Sequence, residues 1–367
     1  MESYNKMSRT RNSILFYIAI SPLGYILLTH LHHVVLPFNI MQKTACQNPS
    51  HLLETYSAPG FHDILDRVVC VLVKFCSQAI NDPLCFPVTA TLVGLATTAY
   101  VVMSIEKVRF KNTAWLTPFM ILMGNVIGTG LIAPMAWLPW YGWSLYSHQK
   151  KTKKNQVAIN TDSKSLNRKQ NLREKINDYR SQQHSMPHVA PHRTFGIALA
   201  ALFGQFLPVA VLVSHGPSLT QRNILAAFQY FPIAYGLCEW VIPFFVNHLD
   251  CKTKRGATDS VRFLYMGVAS INTFLWYWVW IKWLQATSAP DFMVKQWIEL
   301  FFSLGSGGTN PVAYMLMWDL AALLATFTYW AWLEDGKDGV RTVLYNSFLF
   351  GPGAGLALYA MKRESRI

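Results

Sequence analysis

Charged side chains are scarce in this chain of 367 residues. They make up 14% of the sequence, whereas a typical soluble domain contains about 25%. Together with 52% hydrophobic residues and a mean hydropathy of +0.21, this scarcity argues against a soluble enzyme, a disordered protein, a coiled coil or a collagen. The apolar residues form blocks of about 20, the length at which a helix crosses roughly 30 Å of hydrocarbon. The composition therefore predicts an all-α, polytopic bundle of transmembrane helices.

Recognisable metal frameworks are also lacking. The six cysteines form no Cys-x-x-Cys pair, so we predict no zinc site. We favour unpaired thiols, with a bridge from Cys46 to Cys85 as the alternative if both face a lumen. Histidines cluster at 30–33 and 188–192, but a third box for a di-iron oxidase is missing, and the acidic run 334–338 resembles only half of a magnesium-diphosphate motif. We predict no metal and no cofactor.

Positive charge is concentrated in one segment. Residues 148–193 carry a net +8 of the +13 of the whole chain. Basic loops beside membrane spans mark the cytoplasmic side and meet anionic lipid head groups, so the bilayer is the expected partner and nucleic acid is not. We divide the chain into N-terminal transmembrane helices (1–147, with a polar loop at 36–61), this basic cytoplasmic loop, and C-terminal transmembrane helices (194–367).

The apolar blocks predict about eight spans and show no convincing internal repeat. Their ranges are 13–35, 84–105, 114–146, 195–214, 223–248, 261–285, 311–333 and 340–361. The third block exceeds one crossing, and we expect its glycines and prolines to break it. The product would be a span followed by a Trp-rich interfacial helix in the aromatic belt.

Residues 62–82 are ambiguous, because apolar residues alternate there with charged ones. The segment fits an interfacial amphipathic helix or a ninth span. If the N-terminus, residues 148–193 and residues 250–260 are all cytoplasmic, an even number of crossings must precede residue 148. This parity favours a crossing or a deep re-entrant segment at 62–82, but it places Lys362 and Arg363 on the lumenal side, against the positive-inside rule.

Two acids, Glu239 and Asp319, lie well inside predicted spans. A charged group in hydrocarbon is costly and by default marks a functional site. Since no Lys or Arg lies near the middle of either span, we expect no internal ion pair, and burial would keep such a carboxyl protonated and able to act as an acid. We predict that both are catalytic. The structural alternative is two neutral carboxyls that hydrogen-bond between helices.

Aromatic side chains, at 14% of the chain, exceed what two interfacial belts require. An aromatic face stabilises a cation through its quadrupole, although packing explains the same residues equally well. Two further acids in the ambiguous segment would line the same cavity if it crosses, and would be solvated if it does not. The candidate substrate-binding residues are Trp276, Tyr277, Trp318, Asn272, Asp63 and Asp66.

The length, the number of spans, the two intramembrane acids and the abundant aromatics together resemble a family. The chain is similar to the fungal integral-membrane terpene cyclases of meroterpenoid and indole-diterpene pathways, particularly the longer ascochlorin and macrophorin type. The resemblance covers most of the chain except 148–193 and is one of architecture rather than of a strict motif. In such enzymes, membrane-embedded acids are thought to protonate an epoxide or a terminal olefin, and the resemblance implies this role for Glu239 and Asp319.

The resemblance implies an endoplasmic-reticulum, multi-pass terpene cyclase. Its substrate would be a prenylated aromatic or polyketide supplied by an upstream prenyltransferase and epoxidase, and protonation would start carbocation cyclisation without a metal. Two other classes stay open. In a proton-coupled transporter the acids would carry protons along a water-filled path, and in a non-catalytic membrane scaffold of a biosynthetic complex they would only join helices.

Overall fold

The structure is a computed structural model. It describes residues 17, 21–22, 24–31, 46, 62–110, 116–163, 187–214, 219–246, 253–287, 290–302 and 310–366. These residues are 91% helical and contain no strand. The prediction of an all-α chain is therefore confirmed, and most of the polar loop 36–61 lies outside the described residues.

Fourteen α-helices follow one another in the described part from residue 62 onwards, and residues 24–31 are also helical. In chain order they are α1 (His62–Asn81), α2 (Phe86–Arg109), α3 (Leu116–Ile127), α4 (Thr129–Ile132), α5 (Leu138–Ser163), α6 (Pro191–Ala201), α7 (Leu207–Ser214), α8 (Leu219–Phe228), α9 (Phe231–Phe245), α10 (Lys254–Ala286), α11 (Pro290–Phe302), α12 (Pro311–Asp335), α13 (Lys337–Phe350) and α14 (Pro352–Glu364). Two π-helical turns, Ala133–Trp137 and Leu202–Phe206, join α4 to α5 and α6 to α7.

Three helical segments in the described part are long and apolar enough to cross a membrane. They are α2, the combined α6–α7 segment Pro191–Ser214, and α12. All three coincide with predicted blocks. The predicted span 261–285 lies within the longer helix α10, whereas the block 223–248 is divided between α8 and α9 by a turn at residues 229–230.

The helices α2 and α12 run parallel, so the bundle has two distinct ends. Before α12, Asn310 donates from Nδ2 to Asp82, which precedes α2, at 2.8 Å. Near the other end, Arg363 bonds Glu106 of α2 at 2.7 Å and Glu334 of α12 at 3.0 Å. We refer to these as the Asp82 end and the Arg363 end.

The predicted span 340–361 is wrong, because α13 and α14 form a hairpin that enters and leaves at the Arg363 end. Gly339, near the start of α13, packs against Ala331, and Tyr359, near the end of α14, bonds Asp335 at 2.8 Å. At 1.5 Å per residue each helix is only about 20 Å long, short of the roughly 30 Å of hydrocarbon. The chain reverses at Gly351, whose φ of +90° favours glycine.

The predicted block 114–146 also forms a hairpin rather than a crossing. Gly128, with φ +108°, separates α3 from α4, and Tyr141, early in α5, reaches Glu334 at the Arg363 end at 2.7 Å. The expected break at a glycine is confirmed, and Trp143 of the expected interfacial helix is 64% exposed, but two of its other aromatic residues are not at a surface. Trp137 and Tyr141 are fully buried and stack on each other, with ring centroids 5.5 Å apart, and α5 continues to Ser163 inside the predicted basic loop.

The two hairpins reveal an internal repeat that the sequence reading missed. Each follows a long helix, α2 or α12, and each has a Gly-x-Gly apex, at 128–130 or 351–353. Gly130 packs on Asp319, the ninth residue of α12, and Gly353 packs on Gly94, the ninth residue of α2. Each repeated unit consists of a long helix and the hairpin that follows it. The hairpin of each unit therefore packs on the long helix of the other unit. In the hairpins only the apex glycines coincide, and in the long helices Leu95 and Ala96 match Leu320 and Ala321.

The cysteine expectation is corrected too. Cys46 forms a disulfide with Cys70 of α1, with Cα atoms 6.2 Å apart, rather than remaining unpaired or pairing with Cys85. Cys85 is buried as a free thiol at the start of α2. Since the segment around Cys46 is polar and the partner lies within α1, spacing alone did not identify the pair.

Candidate active site

Asp319 lies on α12 at the apex of the first hairpin. The backbone N–H of Gly130 donates to Oδ1 at 2.7 Å, and the backbone of Thr129 is a second donor. The backbone of the hairpin can come this close to Asp319 only because its apex residues are glycines. A Cβ on Gly130 would collide with the carbonyl oxygen of Asp319, and one on Gly128 would lie 2.7 Å from Oδ1. Asp319 as a whole is 6% exposed. The hairpin thus holds one carboxyl oxygen in a defined orientation.

Asp319 also lines a cavity of about 180 Å³ between α1, α2, α3, α7, α8 and α12. Most of its wall is aliphatic. The polar side chains in the wall, besides Asp319, are Cys76, Thr89, Tyr100, Asn125, Thr129, Gln205 and Gln229, and the aromatic ones besides Tyr100 are Phe75, Phe86, Phe228 and Phe231. A single acid therefore faces a largely apolar, partly aromatic space.

Tyr100 orders the polar part of this wall. Its hydroxyl bonds the Thr129 hydroxyl at 2.7 Å, next to the backbone that holds Asp319. Its ring lies 6.4 Å from both Phe231 and Tyr235 between centroids. Sequence reasoning missed Tyr100 and Thr129, and a Tyr within an otherwise apolar helix was the available signal.

Glu239 occupies a different place. It is 5% exposed and forms an ion pair with Lys107 of α2, Oε1 to Nζ, at 2.5 Å. The expectation that Glu239 has no cationic partner is wrong, because Lys107 lies near the end of α2 rather than within its own span. Glu239 is not among the residues that line the cavity of Asp319. The structure therefore does not bring the two predicted acids into one pocket.

Three other candidates meet at the apex of the second hairpin instead. Asn272 is buried and donates to Thr98 and to the carbonyl of Val268, each at 3.0 Å. Trp276 lies against Gly351, and Tyr277 is half exposed and donates to the carbonyl of Leu349 at 2.7 Å. These contacts hold the hairpin in place.

The remaining candidates are also outside the cavity wall or outside the described side chains. Trp318 stacks on Phe301 of α11 with centroids 4.7 Å apart and is not among the cavity residues. Asp63 and Asp66 lie in the first turns of α1, but their side chains lie outside the described part of the chain. Further along α1, Leu72, Phe75 and Ala79 do line the cavity.

A second group missed by sequence reasoning is a buried charged cluster at the Arg363 end. Arg363 bonds Glu106 and Glu334, and also the hydroxyl of Tyr141 at 2.9 Å. Glu334, which suggested half of a magnesium motif, is therefore paired with a cation. Within the described residues no group of three or more His, Cys, Asp or Glu has a metal-binding arrangement.

Comparison with protein-family models, curated proteins and solved structures finds no match for this chain.

Proposed function

We propose that the chain is a membrane-embedded terpene cyclase in which Asp319 is the proton donor. One observation carries the proposal: a nearly buried carboxyl, with one oxygen held by backbone N–H groups, faces an apolar cavity. Mostly aliphatic walls with aromatic faces suit a carbocation, because they offer few nucleophiles and the ring quadrupoles stabilise the positive charge. A transport path would need polar walls, and a scaffold would need no cavity.

The chemistry follows from the two oxygens of the carboxyl. With Oδ1 accepting from Gly130, Oδ2 is the oxygen that carries the proton. Its transfer to an epoxide oxygen or a terminal alkene generates a cation, which internal double bonds of the prenyl chain capture to close rings. The last cation then loses a proton to a water molecule at the mouth of the cavity, which gives the neutral cyclised isomer and leaves Asp319 as a carboxylate. The carboxylate left on Asp319 is stabilised by the same backbone donors, which are in place before the charge develops.

The volume of the cavity defines which part of the substrate it holds. An apolar cavity of about 150 Å³ binds benzene, so a cavity of about 180 Å³ accepts one or two isoprene units. We propose that it receives the end of the prenyl tail at which protonation occurs. The aromatic or polyketide head group then lies outside this volume.

We further propose six membrane crossings in the endoplasmic reticulum, rather than eight or nine. They are the N-terminal helix, α2, α6–α7, α8–α9, α10 and α12, with the two hairpins entering from the cytoplasmic, Arg363 end. This arrangement places residues 148–193, residues 250–260 and the C-terminal Lys362 and Arg363 all on the cytoplasmic side. The parity conflict disappears without a crossing at 62–82.

The test is an assay in yeast microsomes with an epoxyfarnesylated aromatic acceptor and its non-epoxidised counterpart, analysed by mass spectrometry. Wild type is expected to form a cyclised isomer of one of them. Asp319→Asn should lower the rate by roughly 10²- to 10⁴-fold, the usual contribution of a positioned acid. Asp338→Asn, an exposed acid on α13, is the control. Full activity in Asp319→Asn would refute the assignment.

A further inference from the structure

Three pairs of polar side chains lie one above another inside the bundle, between Glu239 and the cavity of Asp319. Three residues of α2 lie on one face, at spacings of four and three, and each meets a partner from another element. The pairs are Tyr100 with Thr129, Ser104 with Tyr235, and Lys107 with Glu239. We name these six residues the polar ladder.

The ladder is buried along its length. Ser104 and Tyr235 are completely enclosed, and their hydroxyls are 3.2 Å apart. Tyr235 and Glu239 are four residues apart and lie on the same face of α9. From Tyr100 to Lys107 the ladder covers about 10 Å of α2 at 1.5 Å per residue. Buried hydroxyls are costly unless they are paired, and each hydroxyl of the ladder has its hydrogen-bond partner.

The two ends of the ladder differ. At the inner end Tyr100 and Thr129 line the same cavity as Asp319, and Thr129 is the neighbour of Gly130, which bonds that acid. At the outer end Glu239 and Lys107 lie toward the Arg363 end, close enough to Arg193 at the start of α6 for electrostatic interaction. The ladder therefore runs from the cavity of Asp319 toward the Arg363 end of the bundle, where the half-buried Arg193 lies.

We propose that the polar ladder is a proton relay that reloads Asp319 from the cytoplasmic side, with Glu239 as its outer station. The inference rests on the proposed cyclase function. After Asp319 has protonated the substrate it is a carboxylate, and it needs a proton before the next cycle. A hydronium ion in the water at the Arg363 end protonates Glu239. Within the pairs Ser104–Tyr235 and Tyr100–Thr129 the proton passes along the hydrogen bond between the two hydroxyls, each oxygen accepting one proton as it releases another. Between the pairs, and from Thr129 to Asp319, rotation of the hydroxyls brings donor and acceptor together wherever no hydrogen bond is in place.

The relay gives Glu239 a role other than that of a second acid in the pocket. It never touches the substrate, so it is a positioning and proton-transfer residue rather than a catalytic one. Lys107 supports that role, because its ammonium group stabilises the carboxylate of Glu239 between transfers. The same arrangement explains why two membrane acids are needed although only one faces the cavity.

The test follows the hydrogen–deuterium exchange of the Asp319 carboxyl, without substrate, in the full chain reconstituted in nanodiscs. Infrared difference spectra of wild type and Asp319→Asn identify its carbonyl band, which shifts when the proton is replaced by deuterium. Tyr235→Phe removes one hydroxyl and keeps the ring, and it should slow the exchange on the order of a hundredfold, as expected for loss of a positioned proton-transfer group. Tyr265→Phe, in a buried tyrosine of α10 outside the ladder, should exchange like wild type.

Two outcomes would overturn the relay: equal exchange rates in Tyr235→Phe and wild type, or the absence of any protonated Asp319 band. Failure of the proposed function looks different. In that case Asp319→Asn retains cyclisation of the farnesylated substrates, whatever the exchange rates are. If the cyclase function and the relay are both correct, Tyr235→Phe should show a normal first turnover and slow subsequent ones. A merely structural role of Tyr235 would not produce this difference between the first turnover and the later ones.

Discussion

Asp319 and Gly130 are joined by a hydrogen bond of 2.7 Å although they are 189 residues apart in the chain. The acid belongs to the second of the two repeated units and its backbone donor to the first. The exchange of hairpins between the units therefore creates the candidate site. In the equivalent position of the other unit, Gly94 takes the place of Asp319, so only one of the two apices carries an acid.

The first prediction concerns the apex itself. Gly128→Ala places a side chain at φ +108° and 2.7 Å from the Asp319 carboxyl. Strained backbone of this kind costs about 1–3 kcal/mol, so both the melting temperature in detergent and the cyclisation rate should fall. Gly267→Ala is the matched control, because no atom lies within 4 Å of its added Cβ. An unchanged melting temperature in Gly128→Ala would contradict the apex geometry.

The second prediction concerns the ion pair of Lys107 and Glu239, which are each 5% exposed by side chain. Glu239→Gln removes the carboxylate and leaves the buried ammonium, which costs about 3–5 kcal/mol for a pair of this kind. The double variant Lys107→Met with Glu239→Gln should recover much of that stability, because the buried charge is gone. Thermal unfolding of the purified variants measures both effects.

Stability and activity measured on the same variants distinguish loss of folded protein from loss of catalysis. If Glu239→Gln lowers cyclisation only because less folded protein remains, activity per folded molecule will equal that of wild type. If the double variant is no more stable than Glu239→Gln, the two residues are not energetically coupled. The ion pair shown by the structure would then not contribute as described.

The sequence predicted the helical class and the long apolar helices well, because 20-residue apolar blocks have few alternatives. It singled out Asp319 as a candidate for the same reason, since an acid in such a block stands out, and its catalytic role stays a prediction. It failed at 114–146 and 340–361, where total hydrophobicity is the same for a crossing and a hairpin. Only the positive φ of Gly128 and Gly351 separates the two, and a glycine in a sequence does not reveal its φ.

The partners of Glu239 and Glu334 could not be predicted for a related reason. Lys107 and Arg363 sit at helix ends, where basic residues ordinarily indicate the cytoplasmic interface. Their burial arises from the docking of α9 and α14 against α2. Glu239 lies 132 residues after Lys107, and Arg363, 29 residues after Glu334, reaches it because the α13–α14 hairpin folds back onto α12. Pairing over such distances depends on tertiary packing, which periodicity does not contain.

The third prediction tests the six-crossing topology with glycosylation reporters. An acceptor site added after residue 367 should remain unmodified, because the second hairpin returns the C-terminus to the cytoplasm. A site placed at 305–308, between α11 and α12, should be glycosylated in the lumen. Mobility shifts that disappear after glycosidase treatment report both. Glycosylation at the C-terminus would instead support nine crossings with a span at 340–361.

The last prediction concerns the buried cluster that fastens the second hairpin. Arg363 is 4% exposed and binds acids of both α2 and α12, with its guanidinium 5.1 Å from the ring of Trp330. Arg363→Met leaves Glu106 and Glu334 short of a buried cation, so it should destabilise the chain by about 3–5 kcal/mol. Hydrogen exchange should accelerate over 337–364 more than over 311–335.

Arg366→Met is the control, because the Arg366 side chain is 45% exposed and pairs with Asp335; this variant should change the stability little. Uniform acceleration throughout the bundle would instead mean that the cluster stabilises the whole fold, and that α13 and α14 do not open as a unit.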